Sequence, residues 1–184
     1  MSDTLHDSLF VSCHCLRPRW QVCLDSPVGH WQIQACDHSL WQCHHSDHAT
    51  SHAVDDRWPS WLLALVANWQ RGWQTGRLLG FPLRAQGSPL QHDIWSYLMT
   101  IDQGEVHSYQ QVANAVGKPN AVRAVANAIS RNPWWWLVPC HRVVGSDNRL
   151  KGYAGGAELK AALLAHEGLH VEQHDTIERA RIMA

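Results

Sequence analysis

The run Pro139-Cys140-His141-Arg142-Val143 concentrates groups able to do covalent chemistry in this chain of 184 residues. A thiol attacks carbon as its thiolate, and a neighbouring imidazole and guanidinium favour that ionised form. Cys140 is therefore a candidate nucleophile and His141 its candidate base. A cysteine beside an apolar run such as Trp134-Trp135-Trp136-Leu137-Val138 is otherwise a buried structural residue, so the surrounding elements must decide between the two readings.

Those elements are mainly helical. Ser88-Pro89-Leu90-Gln91 combines a hydroxyl N-cap, proline at the first helical position and glutamine three residues on. Leu90, Ile94, Leu98 and Ile101 give the helix that follows an apolar stripe. Ser108-Tyr109-Gln110-Gln111 repeats the capping box, and its helix ends at Gly117. After the Lys118-Pro119-Asn120 turn, a second short helix spans 121–130 and stops before Asn132-Pro133. Two short helices joined by a glycine-containing turn match a helix-turn-helix, although many helical hairpins bind no DNA. The second helix carries small residues (Ala121, Val122, Ala124, Val125, Ala126, Ala128) around one long cation, Arg123, a composition suited to close approach to a groove wall. A last helix spans 157–167 and is stopped by Gly168.

The first half reads differently. Gln21-Val22-Cys23-Leu24 and Trp31-Gln32-Ile33-Gln34-Ala35 alternate with period two around Asp25-Ser26-Pro27-Val28-Gly29, which predicts an antiparallel hairpin with a third strand near Leu40–Cys43. Residues 1–19 read as a leader or an edge strand. The segment 43–56 reads as a His-rich loop. A helix opens at Pro59, carries Leu62, Leu65, Val66 and Trp69, and stops at Gly72. Residues 73–87 read as a linker. The expected organisation is an α/β protein with a sheet-plus-helix domain over 1–85 and a mostly helical domain over 86–184.

No stretch approaches the length of a membrane span, and the first twenty residues lack the pattern of a secretory signal, so a soluble cytoplasmic protein with reduced cysteines is expected. The net charge of -1 is unevenly distributed. Residues 117–160 hold seven Lys/Arg against two acids, a net of +5, and the remainder holds eight against fourteen, a net of -6. A basic segment around the candidate nucleophile suits a polyanionic partner, although basic residues also cluster by chance on solvated faces.

The ordered set Gly87-Ser88-Pro89, Gly104-Glu105-Val106-His107-Ser108-Tyr109, Arg123-Ala124-Val125-Ala126, Asn132-Pro133, Pro139-Cys140-His141-Arg142-Val143, Gly152-Tyr153-Ala154-Gly155-Gly156 and Leu163-Leu164-Ala165-His166-Glu167-Gly168 resembles the O6-alkylguanine-DNA alkyltransferases over roughly residues 85–170. The resemblance implies an RNase H-like first domain and a winged helix-like second one. It also implies single-turnover transfer of an alkyl group from O6 of guanine to Cys140. His141 would take the thiol proton through a water, and Glu167 would orient His141. Tyr109 would assist departure of the purine, and Asn132 would tie the recognition helix to the cysteine loop. Pro139, Val143, Tyr153, Ala154 and Gly155 would form the base pocket. The implied partner is double-stranded DNA, entered through the minor groove by Ala121, Val122, Ala126, Asn127 and Tyr109, with Arg123 filling the stack vacated by a flipped nucleotide. The protein is expected to be a monomer, with side-by-side binding on DNA left open.

Two departures from the family pattern bear on substrate range. Ala154 stands where a serine is common, and the run Trp134–Trp136 is unusually bulky, suited to core or inter-domain packing or to the mouth of the pocket. Two rivals are a lesion-binding relative, against which the presence of Cys140 argues, and a Cys-His hydrolase that would turn over. No cofactor is expected. Cys13, His14, Cys15, Cys23, Cys36, Cys43, His44, His45 and His48 could supply a zinc set, as in some relatives, but their spacings match no standard module.

Overall fold

The computed structural model describes residues 10–47, 55–78, 80–172 and 181–182. The chain divides into two compact units, Met1–Gly87 and Ser88–Ala184. Among the described residues there are six α-helices and nine strands, an α/β protein, and no helix is long and apolar enough to cross a membrane.

In the first unit, β1 (Phe10–Val11), β2 (Trp20–Ser26), β3 (Gly29–Ala35), β4 (Leu40–Ser46) and β5 (Leu83–Arg84) form one sheet in the order β1-β5-β4-β3-β2. The expected hairpin is present, with Ser26 opposite Gly29 across the turn. Gly29 has a φ of 112°, which favours glycine, and a Cβ there would lie 2.6 Å from His45 Nε2. Alternation along β3 places Trp31, Ile33 and Ala35 in the core, where Val22, Leu40 and Cys43 of the neighbouring strands join them.

Three boundaries differ from the sequence expectation. The strand near Leu40 runs on to Ser46, taking in Cys43, His44 and His45 that read as loop, because Cys43 pairs opposite the buried Ile33 and the ladder continues through His44 and His45 opposite Gln32 and Trp31. Part of that loop, with His48, lies outside the described residues. The helix from Pro59 does not stop at Gly72. It breaks at Asn68 into α1 (Ser60–Ala67) and α2 (Trp69–Thr75), and Gly76, with a φ of 65°, ends it. Trp69 and Trp73 are both buried, Trp73 lies 5.7 Å from Trp31, and the Trp69 indole donates to the Asp25 carbonyl at 2.8 Å, so this extra turn is held by the sheet. The expected linker also contains β5, which pairs in parallel with both β1 and β4.

In the second unit, α3 (Pro89–Leu98) starts with the complete capping box of Ser88 and Gln91, and α4 (Tyr109–Ala115) with that of Ser108 and Gln111. Gly117, with a φ of 68°, makes the turn into α5 (Val122–Ser130). Val125, Ala128 and Ile129 face inward, and the buried Trp95 indole of α3 donates to the Ala128 carbonyl at 3.0 Å. Val125 and Ala128 therefore belong to the core and not to the small-residue approach surface.

Two pairings in this unit have no local sequence signal. Strand β6 (His107–Ser108) pairs in parallel with β7 (Val143–Val144), which follows a 3-10 turn over Cys140–Arg142. Helix α6 (Gly156–His166) packs through Ala161 and Leu164 into a cluster with Val144, Leu150 and Ile182, the last from the pair β8 (Val171–Glu172) and β9 (Arg181–Ile182).

The Ser108 hydroxyl accepts from the Gln111 N–H while the Gln111 side chain accepts from the Ser108 N–H. Ser108→Ala is expected to cost about 1 kcal/mol, read as a lower urea midpoint with an unchanged slope.

Candidate active site

The approach to Cys140 is tightly wound. The Leu137 N–H bonds the Trp135 carbonyl at 2.7 Å across Trp136, whose φ of 61° is unusual for a side chain of that size. Pro139, with φ -76° and ψ 64°, forms a second three-residue turn in which the Cys140 N–H reaches the Val138 carbonyl at 2.7 Å. Trp134 and Trp136 are buried, and Trp134 meets Trp95 edge to face at 5.3 Å. The half-buried Trp135 lies 5.7 Å from Tyr153.

Asn132 organises this loop from the end of α5. Its Nδ2 donates to the Val138 carbonyl at 2.8 Å and to Cys140 Sγ at 3.0 Å, and its Oδ1 accepts from the Trp134 N–H at 3.0 Å. Cys140 is 4% exposed. Burial pushes its thiol up to about 11, against the opposing pull of Asn132, the Lys160 charge and the backbone N–H groups of Cys140 and His141. The resting sulfur is thus a thiol, and the flanking imidazole and guanidinium do not ionise it as their adjacency in sequence suggested.

Both of those groups turn to Glu167 instead. His141 Nε2 lies 2.9 Å from Glu167 Oε1. Arg142 Nε donates to both carboxylate oxygens at 3.1 Å, its Nη2 to Oε1 at 2.7 Å and its Nη1 to the Ile101 carbonyl at 2.6 Å. Burial opposes the charge on Glu167, but the hydrogen bonds and charges of His141 and Arg142 outweigh it and hold the carboxyl down at about 2. Glu167 is the C-cap of α6, where the helix dipole disfavours an anion, and these two partners account for its position. Burial holds His141 below the ordinary histidine range despite Glu167. A neutral imidazole whose Nε2–H donates to a carboxylate presents Nδ1 as an acceptor, and His141 Nδ1 is buried with no protein hydrogen-bond partner.

The β6–β7 pairing brings the start of α4 beside this loop. The Tyr109 hydroxyl donates to the Lys151 carbonyl at 3.0 Å, and burial followed by the nearby Cys140 charge pushes the phenol up to about 12, so it keeps its proton. Gly152 has a φ of 69°, and a Cβ there would lie 2.6 Å from the Tyr109 hydroxyl. At Gly155 a Cβ would lie 2.8 Å from both Tyr153 and Leu159 and 3.0 Å from Trp135.

Of the expected site residues, the structure links Cys140, Asn132, His141 and Glu167 directly, with Pro139 and Val143 on either side of the turn and Tyr153 6.5 Å from the His141 ring. Ala154 is exposed. Of the expected DNA contacts, Arg123 and Asn127 lie on the exposed face of α5, and Ala121, Val122 and Ala126 are half-buried along it. Arg142 and Lys160, two of the seven bases of the basic segment, are buried and so drop out of the surface field. The sequence reading gives Lys160 no role in the site and Arg142 only that of favouring the thiolate. For Lys160 a signal existed: Lys160, Leu163, Leu164 and Glu167 share one helical stripe.

Among the described candidate metal ligands, Cys13, Cys15 and Cys36 come together, with donor atoms within 4.8 Å of one another. None of the six cysteines is in a disulfide.

Residues 89–169 match the family described as 6-O-methylguanine DNA methyltransferase, DNA binding domain. The chain is 48% identical over 95 residues to the bifunctional transcriptional activator/DNA repair enzyme Ada of Escherichia coli K12, covering 52% of this chain and 27% of that protein. It is 43% identical over 95 residues to the methylated-DNA--protein-cysteine methyltransferase of Methanosarcina barkeri, covering 50% of this chain and 60% of that protein. The matched region thus spans between about a quarter and three-fifths of these curated relatives. The crystal structure of Mycobacterium tuberculosis OGT in complex with DNA aligns with a TM-score of 0.65 and 32% identity, covering 80% of this chain and 91% of that one.

A depressed carboxyl contributes stability that is present above its ordinary range and lost as pH falls through its folded value. For Glu167 that loss is expected between about 4.5 and 2, with His141 adding to it from about 6.5 downward. Glu167→Gln is expected to cost about 3 kcal/mol at neutral pH by leaving Arg142 buried and unpaired, and to flatten the acid limb below pH 4.5. Urea midpoints measured against pH check both.

Proposed function

The chain belongs to the O6-alkylguanine-DNA alkyltransferase family, and from that premise we propose that it repairs DNA by moving the alkyl group of O6-alkylguanine onto its own Cys140. The observation that carries this reading is the buried Cys140 sulfur, held by Asn132 next to the His141–Glu167 pair.

In the proposed step the sulfur attacks the alkyl carbon, a C–S bond forms, and the C–O6 bond breaks. The thiol proton passes through a water to the free Nδ1 of His141, whose developing positive charge Glu167 balances. The purine leaves as its anion, stabilised by a hydrogen bond from the Tyr109 phenol after it releases the Lys151 carbonyl, and takes up a proton that the protonated His141 returns through solvent, so the thiol proton ends on guanine. Carbon moves directly from oxygen to sulfur, so the reaction requires no cofactor. A thioether has no good leaving group, so each molecule acts once. Because the free thiol rests protonated, ionisation accompanies transfer. That protects the sulfur from adventitious alkylation until a base is seated.

The partner in this reading is double-stranded DNA, approached through the minor groove by a monomer in the cytoplasm. The exposed face of α5 supplies Arg123 and Asn127, with Ala121, Val122 and Ala126 allowing close approach. A base inside a duplex is out of reach of a buried sulfur, so the nucleotide is flipped and Arg123 fills its place. Pro139, Val143, Tyr153, Ala154 and Gly155 line the pocket. We read the first unit as RNase H-like and the second as winged helix-like, with residues 86–184 as the DNA-binding and acceptor domain.

Incubation with a duplex containing O6-methylguanine is expected to add one methyl mass to the tryptic peptide spanning 132–142, saturating at one equivalent. No transfer, or product beyond one equivalent, would sink this reading. Arg123→Ala is expected to slow transfer from duplex by at least about tenfold, the loss of roughly 1.4 kcal/mol of transition-state stabilisation, while leaving attack on a free O6-substituted guanine near wild type. Equal losses on both substrates count against flipping.

A further inference from the structure

The first unit holds a cluster of thiols that the alkyl transfer outlined above does not use. Residues 12–16 alternate in exposure, with Ser12, His14 and Leu16 exposed and Cys13 and Cys15 half-buried. That alternation sets residues two apart on one side of the chain, and both sulfurs meet Cys36, which is buried just after β3. Cys13 Sγ lies 3.8 Å from Cys36 Sγ, and the three sulfurs lie within 4.8 Å of one another. The buried Ser39 hydroxyl touches two of them, 3.3 Å from Cys13 Sγ and 3.6 Å from Cys36 Sγ.

The backbone holds both sides of the cluster in place. The Val11 carbonyl accepts from the Ala85 N–H at 2.9 Å and the Arg19 N–H donates to the Ala35 carbonyl at 2.8 Å, so the stretch with Cys13 and Cys15 is tethered at each end. Cys36 is fixed by the turn in which its N–H donates to the Ser39 carbonyl at 3.0 Å. A disulfide sets its sulfurs about 2 Å apart, which leaves about 1.8 Å for Cys13 and Cys36 to close. Exposure then orders the events. A reagent in solvent reaches the half-buried Cys13 before Cys36, which is 1% exposed, or Cys140, which is 4% exposed.

We propose that Cys13 and Cys36 form an oxidation site whose co-reactant is a hydroperoxide, and that this site closes to a disulfide while Cys140 remains a thiol. The Cys13 sulfur attacks the terminal peroxide oxygen, so that an S–O bond forms, the O–O bond breaks, and the other oxygen leaves with a proton as water or an alcohol. The Cys36 sulfur then attacks the sulfenic acid, the S–S bond forms, and the S–O bond breaks with release of water. The two sulfurs together give up two electrons, and the peroxide takes both. With its partner already at hand, the sulfenic acid is captured before it can climb further up the oxidation ladder.

The test treats the reduced full-length chain with hydrogen peroxide, caps the remaining thiols with N-ethylmaleimide under denaturing conditions, and weighs the tryptic peptides without reductant. The peptides spanning 1–19 and 20–57 are expected to join with loss of two hydrogens, and fragmentation to place the bond at Cys13 and Cys36. This link is expected to form at least about tenfold faster than the peptide spanning 132–142 loses its thiol. Dithiothreitol is expected to reverse it. Because the bond closes the loop from 13 to 36 in the unfolded chain, the oxidised protein is expected to show a higher urea midpoint than the reduced one. A lower midpoint overturns the proposal, since the sulfurs would then meet only in a disrupted fold. A bond confined to 1–19, one that persists in Cys36→Ala, or equal rates at the two sites also overturn it. So does a chain purified with one zinc on these thiols and inert to peroxide. Should Cys36→Ala fail to fold, Cys13→Ala at its half-buried position is expected to abolish the link, and an undiminished link there overturns the proposal.

Discussion

Everything around Cys140 hangs on one buried carboxylate. Glu167 ends α6 with its charge pointing into protein, where both burial and the helix dipole oppose it. Two cationic or hydrogen-bonding side chains from the 3-10 turn, His141 and Arg142, answer that charge. Remove the carboxylate and the turn loses its anchor to the helix, the imidazole loses its orientation and a guanidinium is left buried without a counter-ion. The position of Cys140 one residue upstream follows from this arrangement, because its neighbours are held from one side and Asn132 holds the sulfur from the other.

The electrostatics of the site are arranged for delay. A thiolate exposed to solvent would be attacked by any electrophile, whereas a buried thiol ionises only when a base is at hand to take the proton. Burial supplies the restraint, and Asn132, the backbone N–H groups and Lys160 partly offset it. The imidazole stays neutral, with one nitrogen bonded to Glu167 and the other open as an acceptor, which is the protonation state a base needs.

Much of this was legible in the sequence wherever the controlling chemistry is local. The capping boxes at Ser88 and Ser108 and the glycine turn at Gly117 are short-range patterns, and the two helix starts appear where those patterns placed them, whereas the pairing of His141 with Glu167 is implied only by the family resemblance. What the sequence hid depends on partners far along the chain. The two-residue strands β5, β6 and β7 exist because of distant neighbours and not because of their own propensity. Gly72 looked like a helix stop, but the burial of Trp69 and Trp73 against the sheet carries the helix past it. Arg142 reads in the sequence as an activator of its neighbour, but its acceptors are Glu167 and the Ile101 carbonyl. Lys160 was counted as surface charge although its spacing to Leu163 and Leu164 marks the inward stripe of α6.

The short ladder between His107–Ser108 and Val143–Val144 has a mechanical corollary. It fastens the start of α4 to the strand that leaves the Cys140 turn, and Tyr109 follows directly from it. At the other end of the helix pair, Asn132 fastens the exit of α5 to the same loop. The two helices are therefore pinned to the reactive segment at both ends of their hairpin. A load applied to their outer face is borne by the segment that carries the Cys140 sulfur.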